Sequence, residues 1–176
     1  MRKISKPVKE HREKGPKTIS ATIITVSSSR TPDMDESGLL IKKSLLMNGH
    51  DIIRYTMCKD DLSSINQELD SSLATGCDVI ILNGGTGLAP TDITIEAVNP
   101  RLEKRLEGFG ELFRQLSFQK IGSAAMLSRA IAGTCKDTLV FCLPGSPEAV
   151  DLALNGLIIP EVGHMVGLIK GHKTHH

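Results

Sequence analysis

Apolar residues in this chain follow two patterns that alternate along the sequence, short continuous runs and stripes with a spacing of three or four. Short runs rich in Val, Ile and Thr are typical of strands buried on both faces of a sheet, and four occur, at residues 18–26, 51–57, 78–82 and 138–143. Segment 62–73 instead has Leu or Ile every three or four residues opposite polar side chains, which predicts an amphipathic helix. Further helices are predicted at residues 38–47, 110–119, 124–132, 147–157 and 162–169.

Strands that alternate with helices predict a mostly parallel sheet covered on both faces, because a helix that connects two strands lets both run in the same direction. The expected fold class is therefore α/β, a three-layer αβα arrangement in a single domain. The length of 176 residues is that of one ordinary domain. A domain of this size buries enough apolar surface to fold without a metal or disulfide bonds.

Charge divides the chain into a basic N-terminal arm and a mildly acidic body. Residues 1–17 carry seven Lys or Arg and two Glu and lack apolar periodicity, which predicts a flexible arm. The remaining residues carry fourteen Lys or Arg and eighteen Asp or Glu, a net charge of −4. We therefore expect a folded domain over residues 18–170 and a frayed C-terminal tail over 171–176.

Composition excludes several functional classes. An acidic body with four Phe, one Tyr and no Trp lacks the basic groove and the stacking platforms of proteins that bind nucleic acid. Apolar runs are only a few residues long, so we expect no transmembrane helix and no membrane partner. The four cysteines are too widely spaced for a zinc motif, and no apolar signal segment precedes them. We therefore expect reduced thiols and a cytoplasmic location.

Polar and glycine-rich segments follow all four predicted strands, at the edge where open parallel sheets bind ligands. These exits are SSSRTPDMDESG at 27–38, CKDD at 58–61, NGGTGLAPTD at 83–92 and PGSPEA at 144–149. Asp60 and Asp61 both precede the helix predicted at 62–73, which needs only one of them as its cap. The other would face the glycine loop, where it and Asp92 can hold magnesium between phosphates. For Asp92, a helix cap is the alternative interpretation.

The glycine loop after the third strand matches neither common phosphate motif. A P-loop requires a Gly-Lys dipeptide, which the chain lacks, and Pro90 stands where the dinucleotide fingerprint needs its third glycine. Gly84, Gly85 and Gly87 nevertheless allow positive φ and let backbone N–H groups approach an anion closely. Three arginines are candidate clamps for the charge of that anion, with a surface salt bridge as the alternative for each: Arg30, Arg114 and Arg129.

Six short motifs lie in a fixed order along the chain. They are TVSSSR at 25–30, DESG at 35–38, GGTG at 84–87 with an aspartate five residues beyond, GFGELFRQLS at 108–117, AMLSRAIAG at 125–133 and LPGSP at 143–147. GGTG alone is a loose pattern, but the ordered set is specific. The set is similar to the MoaB/Mog family of molybdenum-cofactor biosynthesis, and the resemblance extends from about residue 20 to residue 165.

This resemblance implies a molybdopterin adenylyltransferase with a three-layer αβα fold. Such an enzyme joins the terminal phosphate of molybdopterin to the AMP moiety of Mg-ATP, releases pyrophosphate and prepares the dithiolene for insertion of molybdenum or tungsten. The implied cofactor is Mg²⁺, with ATP and molybdopterin as substrates. The implied partners are further copies of the chain, as a trimer or a dimer of trimers, and a downstream metal-insertion enzyme.

The resemblance also gives roles to individual residues. Asp60 and Asp92 match the two aspartates associated with catalysis and with the metal-nucleotide complex. We expect them to position Mg²⁺ and phosphate rather than to remove a proton, because a phosphate nucleophile is already ionised near neutral pH. The expected cofactor-binding residues are Ser27, Ser28, Gly84, Gly85, Thr86, Gly87, Glu111, Ser128, Arg129, Pro144, Gly145 and Ser146.

The first exit departs from the family pattern. Many adenylylating members have VSD where this chain has VSS, and Ser28 and Ser29 occupy that region. A non-catalytic protein that binds or delivers molybdopterin is therefore the alternative, although retention of both Asp60 and Asp92 favours the enzyme. A nucleotide-processing domain of the competence-damage type is a further alternative, but no second domain is predicted and the motif at 108–117 fits it less readily.

Overall fold

The computed structural model describes residues 15–171, which form one six-stranded sheet with helices on both faces. The strands are β1 (Ser20–Val26), β2 (Asp51–Cys58), β3 (Val79–Asn83), β4 (Lys104–Arg105), β5 (Ile131–Cys135) and β6 (Thr138–Leu143). The helices are α1 (Glu36–Met47), α2 (Leu62–Ala74), α3 (Thr94–Val98), α4 (Glu107–Ile121), α5 (Pro147–Ala153) and α6 (Ile159–Gly171). The predictions for residues 1–14 of the arm and 172–176 of the tail lie outside the described residues.

The sheet has the strand order β2-β1-β3-β6-β5-β4. The first four strands are parallel, and β5 and β4 are antiparallel to their neighbours. The prediction of an α/β fold with a mostly parallel sheet is therefore confirmed. Because β2 and β3 lie on opposite sides of β1, the chain changes direction across the sheet there, which is where such folds open a crevice for ligands.

Two apolar cores, one on each face of the sheet, account for the three layers. Alternate residues of β3 enter opposite cores, with Val79 and Ile81 on one face and Ile80 and Leu82 on the other. The first core also contains buried residues of α1, α4, α5 and α6, and the second contains those of α2 and α3. Both faces of β1, β3 and β6 are thus covered, which explains their continuous apolar runs, whereas the edge strand β2 is only partly buried.

The predictions drawn from apolar patterns are confirmed for the parallel strands and for most helices. All four predicted strands form, and their ends differ from the predicted ones by at most two residues. The helix predicted at 62–73 is α2, which buries Ile65 and Leu69 completely.

Of the predicted arm, residues 15–17 are described, and Gly15 lies so close to Gly163 of α6 that a side chain at position 15 would clash with the Gly163 carbonyl.

The helix predicted at 124–132 is wrong. Residues Gly122–Leu127 form a short 3₁₀ helix, and Ile131–Cys135 form β5, which pairs with β6 across a two-residue turn. In that turn Lys136 has a φ of 55°, a conformation that two-residue hairpins require. Burial of Ala132 in the sheet, and of Ala130 just before it, therefore outweighs the helical preference of the alanine-rich sequence.

Helices α5 and α6 are joined by a π-helical segment, Leu154–Ile158, in place of the continuous α-helix predicted at 147–157. Pro160, the second residue of α6, has no N–H to donate to the Gly156 carbonyl, so one regular α-helical hydrogen bond is missing where the π-helical segment meets α6. Among the described residues, Pro147–Gly171 is the one helical stretch long and apolar enough to cross a membrane by length and composition. Its inner face packs on the sheet, where Leu154, Ile158 and Val162 are buried.

A buried carboxylate, that of Asp35, attaches the N-terminus of α1 to the sheet. It accepts hydrogen bonds from the Thr25 hydroxyl at 2.5 Å, from the Tyr55 hydroxyl and from the Gly38 N–H at 2.9 Å. Three donors offset the cost of removing this charge from water. Burial and the Asp35 carboxylate together raise the pKa of Tyr55, so the hydroxyl remains a donor.

Replacement of Gly38 by Ala is expected to lower the free energy of unfolding by about 1–3 kcal/mol. A Cβ at this position would lie 2.6 Å from the Tyr55 hydroxyl and 2.7 Å from Thr25 Oγ1, and it would strike Asp35. The matched control is Gly108→Ala in α4, where a Cβ meets nothing within 4 Å and Ala is the better helix former. Urea unfolding measures both changes, and equal stability of the two variants would contradict the packing described here.

Candidate functional site

All four exits of the parallel strands meet around one cavity of about 570 Å³ at the carboxyl edge of the sheet. The first exit contributes Ser27, Ser29 and Arg30, and the second contributes Asp60. The third and fourth exits contribute the glycine loop and the PGS segment, and α4 with the segment after it closes the far side. These last three groups supply Gly84, Gly85, Thr86, Gly87, Thr91, Asp92, Phe113, Ser117, Ile121, Leu127, Ser128, Pro144, Gly145, Ser146 and Ala149.

The glycine loop turns sharply as it leaves β3. Gly84 and Gly85 have φ values of 99° and 63°, and a side chain at Gly84 would clash with the Val26 carbonyl. Thr94 holds the turn, since its hydroxyl donates to the Gly84 carbonyl at 2.8 Å and its N–H to the Gly85 carbonyl at 2.9 Å. The expectation of positive φ at Gly87 is wrong. Its small size matters instead because a Cβ there would lie 2.6 Å from Asp92 Oδ2.

Three consecutive backbone N–H groups of this loop belong to residues that line the cavity. The Gly84 N–H donates to the Leu143 carbonyl at 3.0 Å. The next three N–H groups, of Gly85, Thr86 and Gly87, have no hydrogen-bond partner within residues 15–171. Successive unpaired N–H groups beside a glycine turn form a concave site of positive potential, which suits an anion.

The two neighbouring aspartates of the second exit have different roles. Asp61 is the N-cap of α2 and accepts hydrogen bonds from the Ser64 N–H and hydroxyl, both at 2.7 Å, which lower the pKa of its carboxyl. Asp60 instead accepts the Ser28 N–H at 2.6 Å. Its other oxygen, Oδ1, lies 3.2 Å from the position that a Cβ on Gly85 would occupy. Asp60 is therefore the aspartate that faces the glycine loop.

Asp92 lies on the opposite side of the same loop. Its carboxylate accepts the Ala89 N–H at 2.9 Å. The N-cap of α3 is Ile93, which makes no side-chain cap, so Asp92 does not cap this helix. Carboxylates thus flank the loop at Gly85 and at Gly87.

The PGS segment after β6 is held by the first exit. The Gly145 carbonyl accepts the Ser37 hydroxyl at 2.8 Å and Arg30 Nη1 at 3.2 Å. A Cβ on Gly145 would lie 3.1 Å from the Gly84 Cα, so the absence of a side chain lets the two loops touch. Ser146 follows as the N-cap of α5 and accepts the Ala149 N–H at 3.3 Å.

Several predicted site residues lie outside the cavity. Arg129 contacts the glycine loop without lining the cavity. Its Nε donates to the Thr86 carbonyl at 3.0 Å, and its Nη2 donates to the Asp92 carbonyl at 2.9 Å. Its Nη1 forms a salt bridge with the Glu96 carboxylate at 2.5 Å. The other predicted residues that do not line the cavity are Ser28, Glu111 and Arg114.

Sequence reasoning did not find the apolar wall of the cavity. Phe113, Ser117 and Ile121 lie four residues apart on one face of α4, and Leu127 follows them. This spacing was a usable signal, because it continues past the core residue Phe113 to a largely exposed Ile121.

Cys58, the last residue of β2, is close to the second exit but is not a reactive nucleophile. Burial raises the pKa of its thiol to about 12, with smaller contributions from the negative charges of Glu68, Asp60 and Asp61. The thiolate is the reactive form, and it is scarcely populated at neutral pH. Covalent catalysis by this cysteine is therefore disfavoured.

Comparison with known proteins relates the chain to cofactor biosynthesis. Residues 22–164 match a family described as a probable molybdopterin binding domain. Molybdenum cofactor biosynthesis protein B of Halalkalibacterium halodurans is 48% identical over 161 residues, which are 90% of this chain and 95% of that protein. The protein of the same name from Bacillus subtilis is 45% identical over 172 residues, covering 94% of this chain and 99% of its own.

Solved structures give the same relationship. The tungsten cofactor synthesizing protein MoaB from Pyrococcus furiosus has a TM-score of 0.79 and 36% identity, covering 88% of this chain and 98% of that one. CinA from Thermoplasma acidophilum, with a TM-score of 0.59, 18% identity and coverage of 81% of this chain and 97% of that one, shares the fold alone. Since the family match spans most of the chain and the relatives are nearly half identical, the chain belongs to the MoaB/Mog family of molybdenum- and tungsten-cofactor biosynthesis proteins.

Proposed function

We propose that this chain transfers AMP from Mg-ATP to the terminal phosphate of molybdopterin and releases pyrophosphate. The observation that carries the proposal is the glycine loop, with three unpaired N–H groups between the carboxylates of Asp60 and Asp92. The N–H groups suit the phosphate chain of a nucleotide, and the carboxylates suit the cation that accompanies it.

The donor set around the loop fits Mg²⁺. The described residues contain no group of three His, Cys, Asp or Glu side chains that could hold a metal by themselves. Mg²⁺ is usually bound by one or two carboxylates together with substrate phosphates, so Asp60 and Asp92 would be sufficient ligands. When bound there, Mg²⁺ would supply positive charge to the phosphates.

The far side of the cavity suits the flat, polar-edged ring of a pterin. Phe113, Ile121 and Leu127 provide an apolar surface, and Ser117 and Ser128 provide hydroxyl groups. The Ser128 Oγ is buried and has no hydrogen-bond partner in the described chain, so it is an unsatisfied group that a bound ligand would satisfy. A cavity with one apolar and one phosphate-binding half can hold two substrates together.

Catalysis in this arrangement consists of positioning and charge neutralisation. The attacking phosphate oxygen forms a bond to the α-phosphorus while the bond to pyrophosphate breaks. The nucleophile needs no strong base, and the N–H groups of Gly85, Thr86 and Gly87 stabilise negative charge on the transferred group. Arg129 stabilises the conformation of the glycine loop rather than binding phosphate, because its guanidinium already binds Thr86, Asp92 and Glu96.

We also infer that copies of the chain associate through an apolar groove between α4 and α6. This groove of about 420 Å³ is lined by Leu106, Leu112, Leu157 and Met165, and Leu112 is 50% exposed. Apolar surface of this kind on a soluble domain commonly marks an interface. A homo-oligomer of this chain covers it most simply.

Replacement of Asp92 by Asn is expected to slow adenylylation at least ~100-fold, the effect of losing one preorganised charged group. The fold should persist, because the Asn side-chain oxygen can still accept the Ala89 N–H. The assay follows adenylylated molybdopterin formed from molybdopterin and Mg-ATP. Asp33→Asn, which removes an exposed charge outside the cavity, is the control. Binding of both ligands without turnover in the unmodified chain would identify a delivery protein instead.

Replacement of Glu96 by Gln is expected to destabilise the domain by less than about 1 kcal/mol at pH 7, because the pair with Arg129 is half exposed. Arg129 lowers the pKa of the Glu96 carboxyl in the folded protein. The stabilisation is therefore complete above the ordinary pKa of about 4.3 and is lost as the pH falls through the lower folded value. Urea unfolding at pH 7 and at pH 3 tests this, with Glu111→Gln as a control. A difference from the unmodified chain that does not shrink between pH 7 and pH 3 would contradict it.

Replacement of Leu112 by Glu is expected to reduce the oligomer to a smaller particle, because a charge in a buried apolar interface is costly. Sedimentation velocity measures the change. Met47→Glu, at the exposed end of α1, introduces the same charge outside the groove and should leave the particle size unchanged. If both variants sediment like the unmodified chain, the groove is not the interface.

A further inference from the structure

The first and second exits are joined by a reciprocal pair of hydrogen bonds. The Ser28 N–H donates to Asp60 Oδ2 at 2.6 Å, and the Asp60 N–H donates to the Ser28 hydroxyl oxygen at 3.0 Å. One step earlier, the Ser27 N–H donates to the Cys58 carbonyl at 2.9 Å. The pairing of β1 with β2 is thus extended beyond both strands and ends in this ring between Ser28 and Asp60.

This ring fixes both the backbone and the carboxylate of Asp60. Oδ2 is held by Ser28, while Oδ1 lies on the side of Gly85, where a Cβ would be 3.2 Å away. Without the Ser28 contacts, the Asp60 side chain would lie on an exposed loop and its rotamers would be free to interchange. One oxygen is therefore anchored, and the other is presented to the glycine loop.

Ser28 itself does not line the cavity, whereas Ser27 and Ser29 do. Its hydroxyl is an acceptor for Asp60, and its N–H is a donor to the same residue. The position of Ser28 outside the cavity lining, together with these two bonds to Asp60, argues for action through Asp60 rather than direct contact with a ligand.

We propose that Ser28 is a positioning residue that holds the Asp60 carboxylate in the orientation required to bind the magnesium ion of the nucleotide. The proposal rests on the proposed function only in taking Asp60 as a magnesium ligand. A hydroxyl is suited to the position because it accepts the Asp60 N–H without adding charge.

The first test measures the hydrogen bond directly. Amide hydrogen exchange at Asp60 should be about tenfold faster in Ser28→Ala than in the unmodified chain, because the acceptor of the Asp60 N–H is lost. Ser28→Thr keeps a hydroxyl and should restore slow exchange. Ser71→Ala, on the exposed face of α2, is the control and should leave exchange at Asp60 unchanged. Unchanged exchange in Ser28→Ala would overturn the proposal.

The second test separates action through Asp60 from contact with the ligand. Calorimetric titration with ATP, once with Mg²⁺ and once with a chelator, gives the magnesium-dependent part of the affinity without any need for turnover. Ser28→Ala should weaken binding of Mg-ATP about tenfold and leave binding of metal-free ATP unchanged, and Ser28→Thr should restore the difference. Equal weakening in both titrations would show direct contact with the nucleotide and overturn the proposal.

A double substitution completes the test. If Ser28 acts through Asp60, adding Ser28→Ala to Asp60→Asn should cause no further loss of Mg-ATP affinity or of kcat. An additive loss would overturn the proposal. Absence of adenylylation in the unmodified chain would contradict the proposed activity alone, since amide exchange and the magnesium-dependent affinity still decide the role of Ser28.

Discussion

The parallel pairing of β1 with β2 on one side and with β3 on the other determines where every candidate functional group lies. Because the three strands run in the same direction, their exits reach the same edge of the sheet. Because the chain moves to opposite sides from β1, a crevice opens between the first and third exits. Asp60 and the glycine loop are more than twenty residues apart in sequence and meet only through this pairing.

A buried charge couples this edge to the helical layer. Asp35 joins β1, β2 and α1 through Thr25, Tyr55 and Gly38, and Ser37 then reaches the Gly145 carbonyl in the fourth exit. Loss of any of these donors would leave the buried Asp35 carboxylate with an unsatisfied hydrogen-bond acceptor, which would lower the free energy of unfolding. The rim of the cavity therefore depends on Asp35, which does not line the cavity itself. This is why the DESG segment at 35–38 is structurally part of the site.

The sequence was most informative where one physical requirement acted alone. Strands buried on both faces need continuous apolar residues, so β1, β3 and β6 were predictable, as was the stripe of α2. Residues 124–132 satisfy a helical pattern locally, yet the long-range partner β6 decides their structure. Residue type alone does not separate Asp60 from Asp61, because capping depends on the backbone conformation of Asp61. Arg129 was a plausible clamp until its three partners were known.

Electrostatics explains why a site of this composition would depend on a cation. The charged side chains that line the cavity are Arg30, Asp60 and Asp92, a net charge of −1, in a body that is itself acidic. A polyphosphate would be repelled by such a cavity if side chains alone were counted. The N–H groups of the glycine loop offset part of that repulsion, because their partial positive charges are fixed in place by the backbone. A divalent cation between the carboxylates and the phosphates would reverse the remainder, so under the proposed function the acids that would repel a free nucleotide would favour its magnesium complex.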